Sequence, residues 1–348
     1  MSIRATFSLL KRLSCFSIQP NPKLDTQATV SMISKDFQRP LLLLLDWDGT
    51  LTTTTTLPLI ASIATLPTIH PKLAALSNAY AEDFKAHDAN YRPAKQDRVT
   101  IAQELHYLNS LHSVENISIE RIEASGIFKD VWTGDIETAA ADVVENGSII
   151  LRNGWARLVE LVQSSQCTGK VGIVSVAWSR RFIFHVLALY GRMEGGADVH
   201  AGDVEIRANE IEGDASGRLE RCLGNGRGIW TAGDKVEVMD GLVDAFMVVE
   251  SGEVDGGVDR QPMVIYIGDS TTDLACLLKA EVGICVRDKP LGEEQRGLKE
   301  TLERIGVACL HVGEFVKQGQ DVGGEGGRNR LWWATDFHEV CESGILGR

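Results

Sequence analysis

Leu41-Leu42-Leu43-Leu44-Leu45-Asp46-Trp47-Asp48-Gly49-Thr50 is the stretch on which the fold of this chain turns. Five consecutive leucines leave no polar face, so the segment suits a central strand of a parallel sheet covered on both sides. Pro40 stands before it, and two aspartates two residues apart stand at its carboxyl end. Similar short apolar runs recur at 171–176, continuing into Ala177-Trp178-Ser179, at 263–267 before Gly268-Asp269, and at 282–286. Between the first two runs, residues 57–145 read as helical. Leu73, Leu76, Tyr80 and Phe84 keep helical spacing, as do Ile101, Leu105, Leu108 and His112. Asn153-Gly154 marks a turn and 155–162 a short helix. Strands alternating with helical segments predict an α/β protein with a doubly wound parallel sheet.

Working outward, the 348 residues are 44% hydrophobic and 24% charged, the balance of a soluble globular chain with one large α/β domain or two modest ones. Apolar runs fall far short of the ~20 residues a membrane-spanning helix needs, so no membrane partner is expected. A net charge of -13 repels phosphate backbones and argues against general nucleic-acid binding. The seven cysteines are scattered and never spaced as C-x-x-C, which fits neither a zinc site nor a disulfide framework and points to a reducing compartment. Residues 1–24 differ from the rest: Arg4, Lys11, Arg12 and Lys23 give +4 with no acid, leaving -17 on the remainder. Residues 1–38 are read as a flexible basic segment of a cytoplasmic protein. The alternative is a mitochondrial presequence, since Ile3, Phe7 and Leu10 share a helical face with Arg4 and Lys11 on another. Glycine-rich stretches at 195–196, 224–228, 251–257 and 323–327 read as surface loops. The sequons at Asn116 and Asn146 are taken as chance matches without an export signal. No G-x-S-x-G, P-loop or G-x-G-x-x-G opens a helix after a strand.

The chemistry collects at strand ends, where ligands bind in open α/β sheets. Asp46 and Asp48 follow the first run, Ser175 the second, and Asp269 and Asp273 the third. Carboxylates so close together repel unless a cation lies between them, and hard oxygen donors with few histidines suit Mg²⁺. An aspartate beside Mg²⁺ can serve as a nucleophile that forms an aspartyl-phosphate. By itself a D-x-D-G-T string is a strand-terminating turn; five preceding leucines and two matching sites downstream give it chemical meaning.

LLLLLDWDGTLT (41–52), IVSVAWS (173–179), GDK (233–235) and YIGDSTTDLACLLKAEVGI (266–284) together resemble the four motifs of the haloacid-dehalogenase-like (HAD) hydrolases. The resemblance covers about residues 41–315, and the chain is similar in particular to fungal and plant HAD phosphatases whose nearest characterised relatives dephosphorylate small metabolites such as phosphoserine or thiamine monophosphate. It implies a Rossmann-like core at 39–56 and 146–348 with an inserted helical cap at 57–145. It implies Asp46 as nucleophile and Asp48 as general acid/base, with Ser175 hydrogen-bonding the phosphoryl group. Lys235 neutralises the nucleophile and phosphoryl oxygens, a role for which Lys170 lies at the wrong end of its strand. A single Mg²⁺ takes Asp46, Asp269 and the backbone carbonyl of Asp48, with Asp273 in support. Thr50, Trp178 and Arg180 are further candidates to touch substrate, although an arginine at a helix start is more often a surface group. Thr55 stands where many relatives place an acid, which weakens a phosphoserine reading, and Asn153 replaces the proline of an R-P-G-W segment. The expected activity is Mg²⁺-dependent hydrolysis of a small phosphorylated metabolite. A catalytically retired fold that binds a ligand or partner protein is the alternative of another class, and an acceptor other than water stays open.

Overall fold

The computed structural model describes residues 39–64, 69–164, 169–193, 201–223, 226–251, 261–315 and 330–346. The basic segment 1–38 and the glycine stretches at 195–196 and 323–327 lie outside the described residues, as does most of that at 251–257. Seven parallel strands form the sheet: β1 (Leu41–Leu45), β2 (Lys170–Val174), β3 (Val204–Arg207), β6 (Met263–Gly268), β7 (Val282–Val286), β8 (Ala308–His311) and β9 (Arg330–Ala334). Their order is β3-β2-β1-β6-β7-β9-β8. A separate hairpin pairs β4 (Glu210–Ile211) with β5 (Leu219–Glu220). The chain therefore winds outward from β1 through β2 to β3, then returns to β6 on the other side of β1. That reversal leaves a crevice beyond the carboxyl ends of β1 and β6.

The five leucines divide between two cores, as alternation along a doubly covered strand requires. Leu41, Leu43 and Leu45 join one core with Ile173, Ile265 and Ile284. Leu42 and Leu44 join the other with Val174, Tyr266 and Cys285. Each fully buried leucine contributes about 1.5–3 kcal/mol of transfer free energy, so this strand has a strong reason to be central.

The helices, in chain order, are α1 (Leu57–Ala61), α2 (Ile69–Asn90), α3 (Ile101–Ser110), α4 (His112–Ser125) and α5 (Thr133–Glu145), then α6 (Trp155–Gln163), α7 (Arg180–Met193), α8 (Ala232–Ser251), α9 (Leu274–Lys279), α10 (Glu293–Arg304) and α11 (Phe337–Glu342). On one face of the sheet α7 presents Phe182, Ile183, Val186 and Leu187, the spacing of a buried stripe. On the other face α8 presents Val238, Met239, Leu242 and Phe246. Among the described residues no helix is long and apolar enough to cross a membrane.

The insertion between β1 and α6 is helical, but one expected helix is two. The run through Ile101, Leu105, Leu108 and His112 breaks at Leu111, whose N–H turns back to Leu108 and Asn109. The chain leaves the core at Thr52 and returns at Leu151, where the two segments form an antiparallel bridge. The insertion reaches both helical layers. Ile136, Ala140, Val143 and Val144 of α5 belong to the first core, while Tyr107 and Leu108 of α3 belong to the second. An ionic clasp reinforces the α3 side: Arg98 Nε donates to Glu104 Oε2 at 2.9 Å, and Arg304 of α10 meets the same oxygen at 2.9 Å. The Arg98 guanidinium lies over the Tyr107 ring at 3.6 Å.

Three strands of the sheet and both strands of the hairpin go unmarked in the sequence. β3, β8 and β9 are short and carry charged or bulky polar residues, so they lack the apolar runs that betray central strands. Trp332 and Trp333 stand inside the sheet as part of β9.

Candidate active site

Strand register builds the site. Leu45 pairs with Ile173 on one side and Ile267 on the other, so Asp46 leaves β1 with the ends of β2 and β6 beside it. Ser175 and Asp269 each follow one residue further along those flanking strands. The Asp46 N–H donates to the Ile267 carbonyl at 2.9 Å, which holds the first aspartate at the sheet edge.

Asp46, Asp269 and Asp273 are buried, and an oxygen of each lies within 4.8 Å of the others. Lys235, fully buried at the start of α8, reaches Asp46 Oδ1 at 2.8 Å and Asp273 Oδ1 at 2.7 Å. The three acids are not equivalent. Asp273 accepts from Lys235 and the Tyr266 hydroxyl on one oxygen, and from the N–H groups of Asp269 and Ser270 and the Ser270 hydroxyl on the other. Its lone pairs are spent within the protein. Asp269 accepts only the Thr50 hydroxyl at 3.3 Å on Oδ1, so its Oδ2 is free among the described residues.

Electrostatics follow from this layout. Burial first, then Asp273, push the Asp46 carboxyl up from 3.8 to about 7 against the pull of Lys235. Burial, then Asp273 and Asp46, push Asp269 up to about 8. Burial acts to lower the Lys235 ammonium, yet Asp273 and Asp46 together outweigh it and the net direction is upward. Lys235 pairs with Asp46 and Asp273, and Arg152, itself paired with Asp288, only partly offsets the charge of Asp269, which leaves a deficit of positive charge among hard oxygen donors. A divalent cation of the Mg²⁺ class fits that charge and chemistry, with Asp46 and Asp269 the carboxylates able to hold it.

Asp48 faces elsewhere. Its carboxylate accepts the Thr56 N–H at the entry to α1, and burial raises its pKa. Its expected share in a metal shell is through its carbonyl, outside the side-chain cluster. Gly49, with φ at 71°, puts its Cα so close to Asp269 that an added Cβ would lie 2.2 Å from Oδ2. Gly268 is similarly pressed by Asp273, since an added Cβ would lie 2.4 Å from its Cγ. Ser175 is buried, and its Oγ accepts the Ala177 N–H at 3.1 Å, leaving its hydroxyl hydrogen to point elsewhere.

Of the residues offered for substrate contact, Thr50 is engaged with Asp269. Trp178 packs edge-to-face on Phe128 at 5.7 Å. Arg180 is exposed and lies 3.8 Å from Glu220 on the hairpin. Lys170 opens β2 at the far edge of the sheet, with its ammonium 5.1 Å from the Phe246 ring. Two neighbours of the site went unread in the sequence. Tyr266 is hidden inside an apolar strand. Arg152 is a charge set among Ile149, Ile150, Leu151 and Trp155, a pattern that could have drawn notice.

No protein-family model matches the chain. Among curated proteins it is 26% identical over 251 residues to a CTO1 family protein of Schizosaccharomyces pombe, covering 71% of this chain and 82% of that one. It is 22% identical over 289 residues to Cold tolerance protein 1 of Saccharomyces cerevisiae, covering 78% and 86%. A third relative, the mitochondrial bifunctional TH2 protein of Arabidopsis thaliana, is 23% identical over 262 residues, 74% of this chain but 37% of that protein. Similar solved structures include a substrate-bound phosphoserine phosphatase complex, at 16% identity and a TM-score of 0.40 over 77% of this chain and 99% of that one. A HAD family hydrolase of Salmonella enterica serovar Typhi matches at 14% identity and a TM-score of 0.40, over 77% and 73%.

Proposed function

We propose that the chain is a Mg²⁺-dependent phosphatase of HAD type that hydrolyses a small phosphorylated metabolite through an aspartyl-phosphate on Asp46. The observation that carries this reading is the bridging lysine, 2.8 Å from Asp46 and 2.7 Å from Asp273, beside an Asp269 carboxylate with an unused oxygen at the sheet's switch point.

Asp46 attacks phosphorus as a carboxylate, and the bond to the leaving oxygen breaks. Asp48, whose burial favours its protonated form, donates a proton to that oxygen. Water then attacks the phosphorus of the acyl phosphate while Asp48 takes a proton back, which releases inorganic phosphate and restores Asp46. Lys235 spreads the negative charge of nucleophile and phosphoryl oxygens, and the free hydrogen of Ser175 reaches a phosphoryl oxygen. Asp46, Asp269 and the Asp48 carbonyl would hold Mg²⁺, which would add further neutralisation of the phosphoryl oxygens. The Thr56 N–H, at the entry to α1, donates to the Asp48 carboxylate and so ties the acid/base to the root of the insertion.

Chelation is expected to abolish hydrolysis of an aryl phosphate by the full chain, and added Mg²⁺ to restore it. Equal turnover in metal-free protein removes the cation from the mechanism.

A further inference from the structure

We propose that Arg152 is a positioning residue for the cation site, holding the Gly49–Thr50 backbone and through it the Asp269 carboxylate. The inference rests on the Mg²⁺ reading above. Arg152 is 4% exposed, and its guanidinium gathers three loops at the carboxyl edge of the sheet. Nε donates to the Thr50 carbonyl at 2.8 Å and Nη2 to the Gly49 carbonyl at 2.7 Å. Nη1 donates to Asp288 Oδ1 at 2.6 Å and to the Thr335 carbonyl at 3.2 Å. Asp288 is itself held, its other oxygen accepting from Gln295 Nε2 at 2.7 Å.

The two carbonyls it grips belong to the residues that touch Asp269. Thr50 bonds one carboxylate oxygen, and Gly49 lies against the other closely enough to exclude any side chain. A shift of this turn is therefore a shift of the carboxylate. The fork geometry matters, because three N–H directions are used at once and an ammonium at the same place cannot span them. Arg152 also sits on the returning segment of the insertion: its N–H donates to the Leu51 carbonyl at 2.8 Å, one residue from the Thr52–Leu151 bridge. The root of the insertion and the ligand-bearing turn thus share one anchor. Partners that orient a metal ligand from outside its shell are typically worth about 10–100-fold in metal affinity.

The test is a Mg²⁺ titration of the melting temperature of the full chain, comparing wild type, Arg152→Lys and Asp269→Asn. The wild type is expected to rise with Mg²⁺, Asp269→Asn to show no rise, and Arg152→Lys to need about 10–100-fold more Mg²⁺ for its midpoint. A wild type that does not respond, or an Asp269→Asn that responds equally, defeats the Mg²⁺ reading itself. A responding wild type with an unchanged Arg152→Lys midpoint overturns only the role of Arg152, even where the melting temperature is lower at every Mg²⁺ concentration. If Arg152→Lys does not fold, Asp288→Asn takes its place, because it weakens the anchor and leaves both carbonyl acceptors. A raised midpoint then supports the role and an unchanged one overturns it.

Discussion

At the insertion, Arg98 and Arg304 close on Glu104, whereas at the strand ends Lys235 pairs with Asp46 and Asp273, and Asp269 has no ion pair among the described residues. Both clusters are buried, and they handle charge in opposite ways. In the clasp, two guanidinium groups face Glu104, with the half-exposed Asp88 3.8 Å from Arg98 and the Tyr107 ring under its plane. That cluster is satisfied by the protein's own groups, so it can only hold the insertion in place. At the strand ends the acids outnumber the cation, and burial raises the Asp46 and Asp269 carboxyls because too little positive charge is at hand. An incomplete cluster asks for something from outside. Surplus charge marks a site; balanced charge marks a joint.

Removing Asp48, beside the strand-end acids, or Glu104, from the clasp, should separate the two roles. Asp48→Asn keeps an oxygen to accept the Thr56 N–H, so the fold is expected to stand while hydrolysis falls by ~10²–10⁴-fold. The loss should be greater for alkyl than for activated aryl phosphates, because an aryl oxide leaves without a proton. Steady-state rates on matched aryl and alkyl substrates check this, and an identical loss on both removes Asp48 as the acid.

Glu104→Ala should do the reverse. Two guanidinium groups are left around an empty place, and breaking such a buried pair costs about 3–5 kcal/mol. Denaturant unfolding is expected to show that loss, with no gain from Mg²⁺ beyond the wild-type gain. A change under 1 kcal/mol would mean that the clasp is solvated and does not join the insertion to α10.

The third effect is the pH dependence of metal-free protein. The Asp46 and Asp269 carboxyls titrate near 7 and 8 when folded and at the ordinary 3.8 when unfolded. The folded state therefore keeps protons that the unfolded chain has released. Their contribution is fully present below the unfolded value and is lost as pH rises through the folded values. In chelator, the melting temperature is expected to fall from about pH 5 to about pH 8, and less so in Asp269→Asn. Saturating Mg²⁺ should flatten the slope, because it takes the place of the protons. A slope that survives Mg²⁺ assigns the effect to other groups.

Much of the site lay open in the sequence because Asp46, Ser175 and Asp269 each stand directly after a strand. Asp46, Ser175 and Asp269 needed only the apolar runs before them to be placed at one edge. Lys235 depended on the resemblance, since a lysine in an acidic chain is ordinarily a surface group. Arg152 was passed over because its acceptors are Gly49, Thr50, Asp288 and Thr335, spread across the chain. Glu104 and Arg304, too, become partners only when α3 packs toward α10.

What the sequence determined by itself was therefore local: the buried central strand, the helical character of 57–145, and the acids at the strand ends. Those follow from side-chain period and hydrophobicity within a few residues. Tertiary structure decided which lone pairs remain for a cation. Asp273 reads as one more site acid, yet in the fold Lys235, Tyr266, Asp269 and Ser270 occupy both its oxygens, while Asp269 keeps one unused. A carboxylate's capacity to bind depends on every donor that burial brings to it, and those donors are gathered from distant parts of the chain.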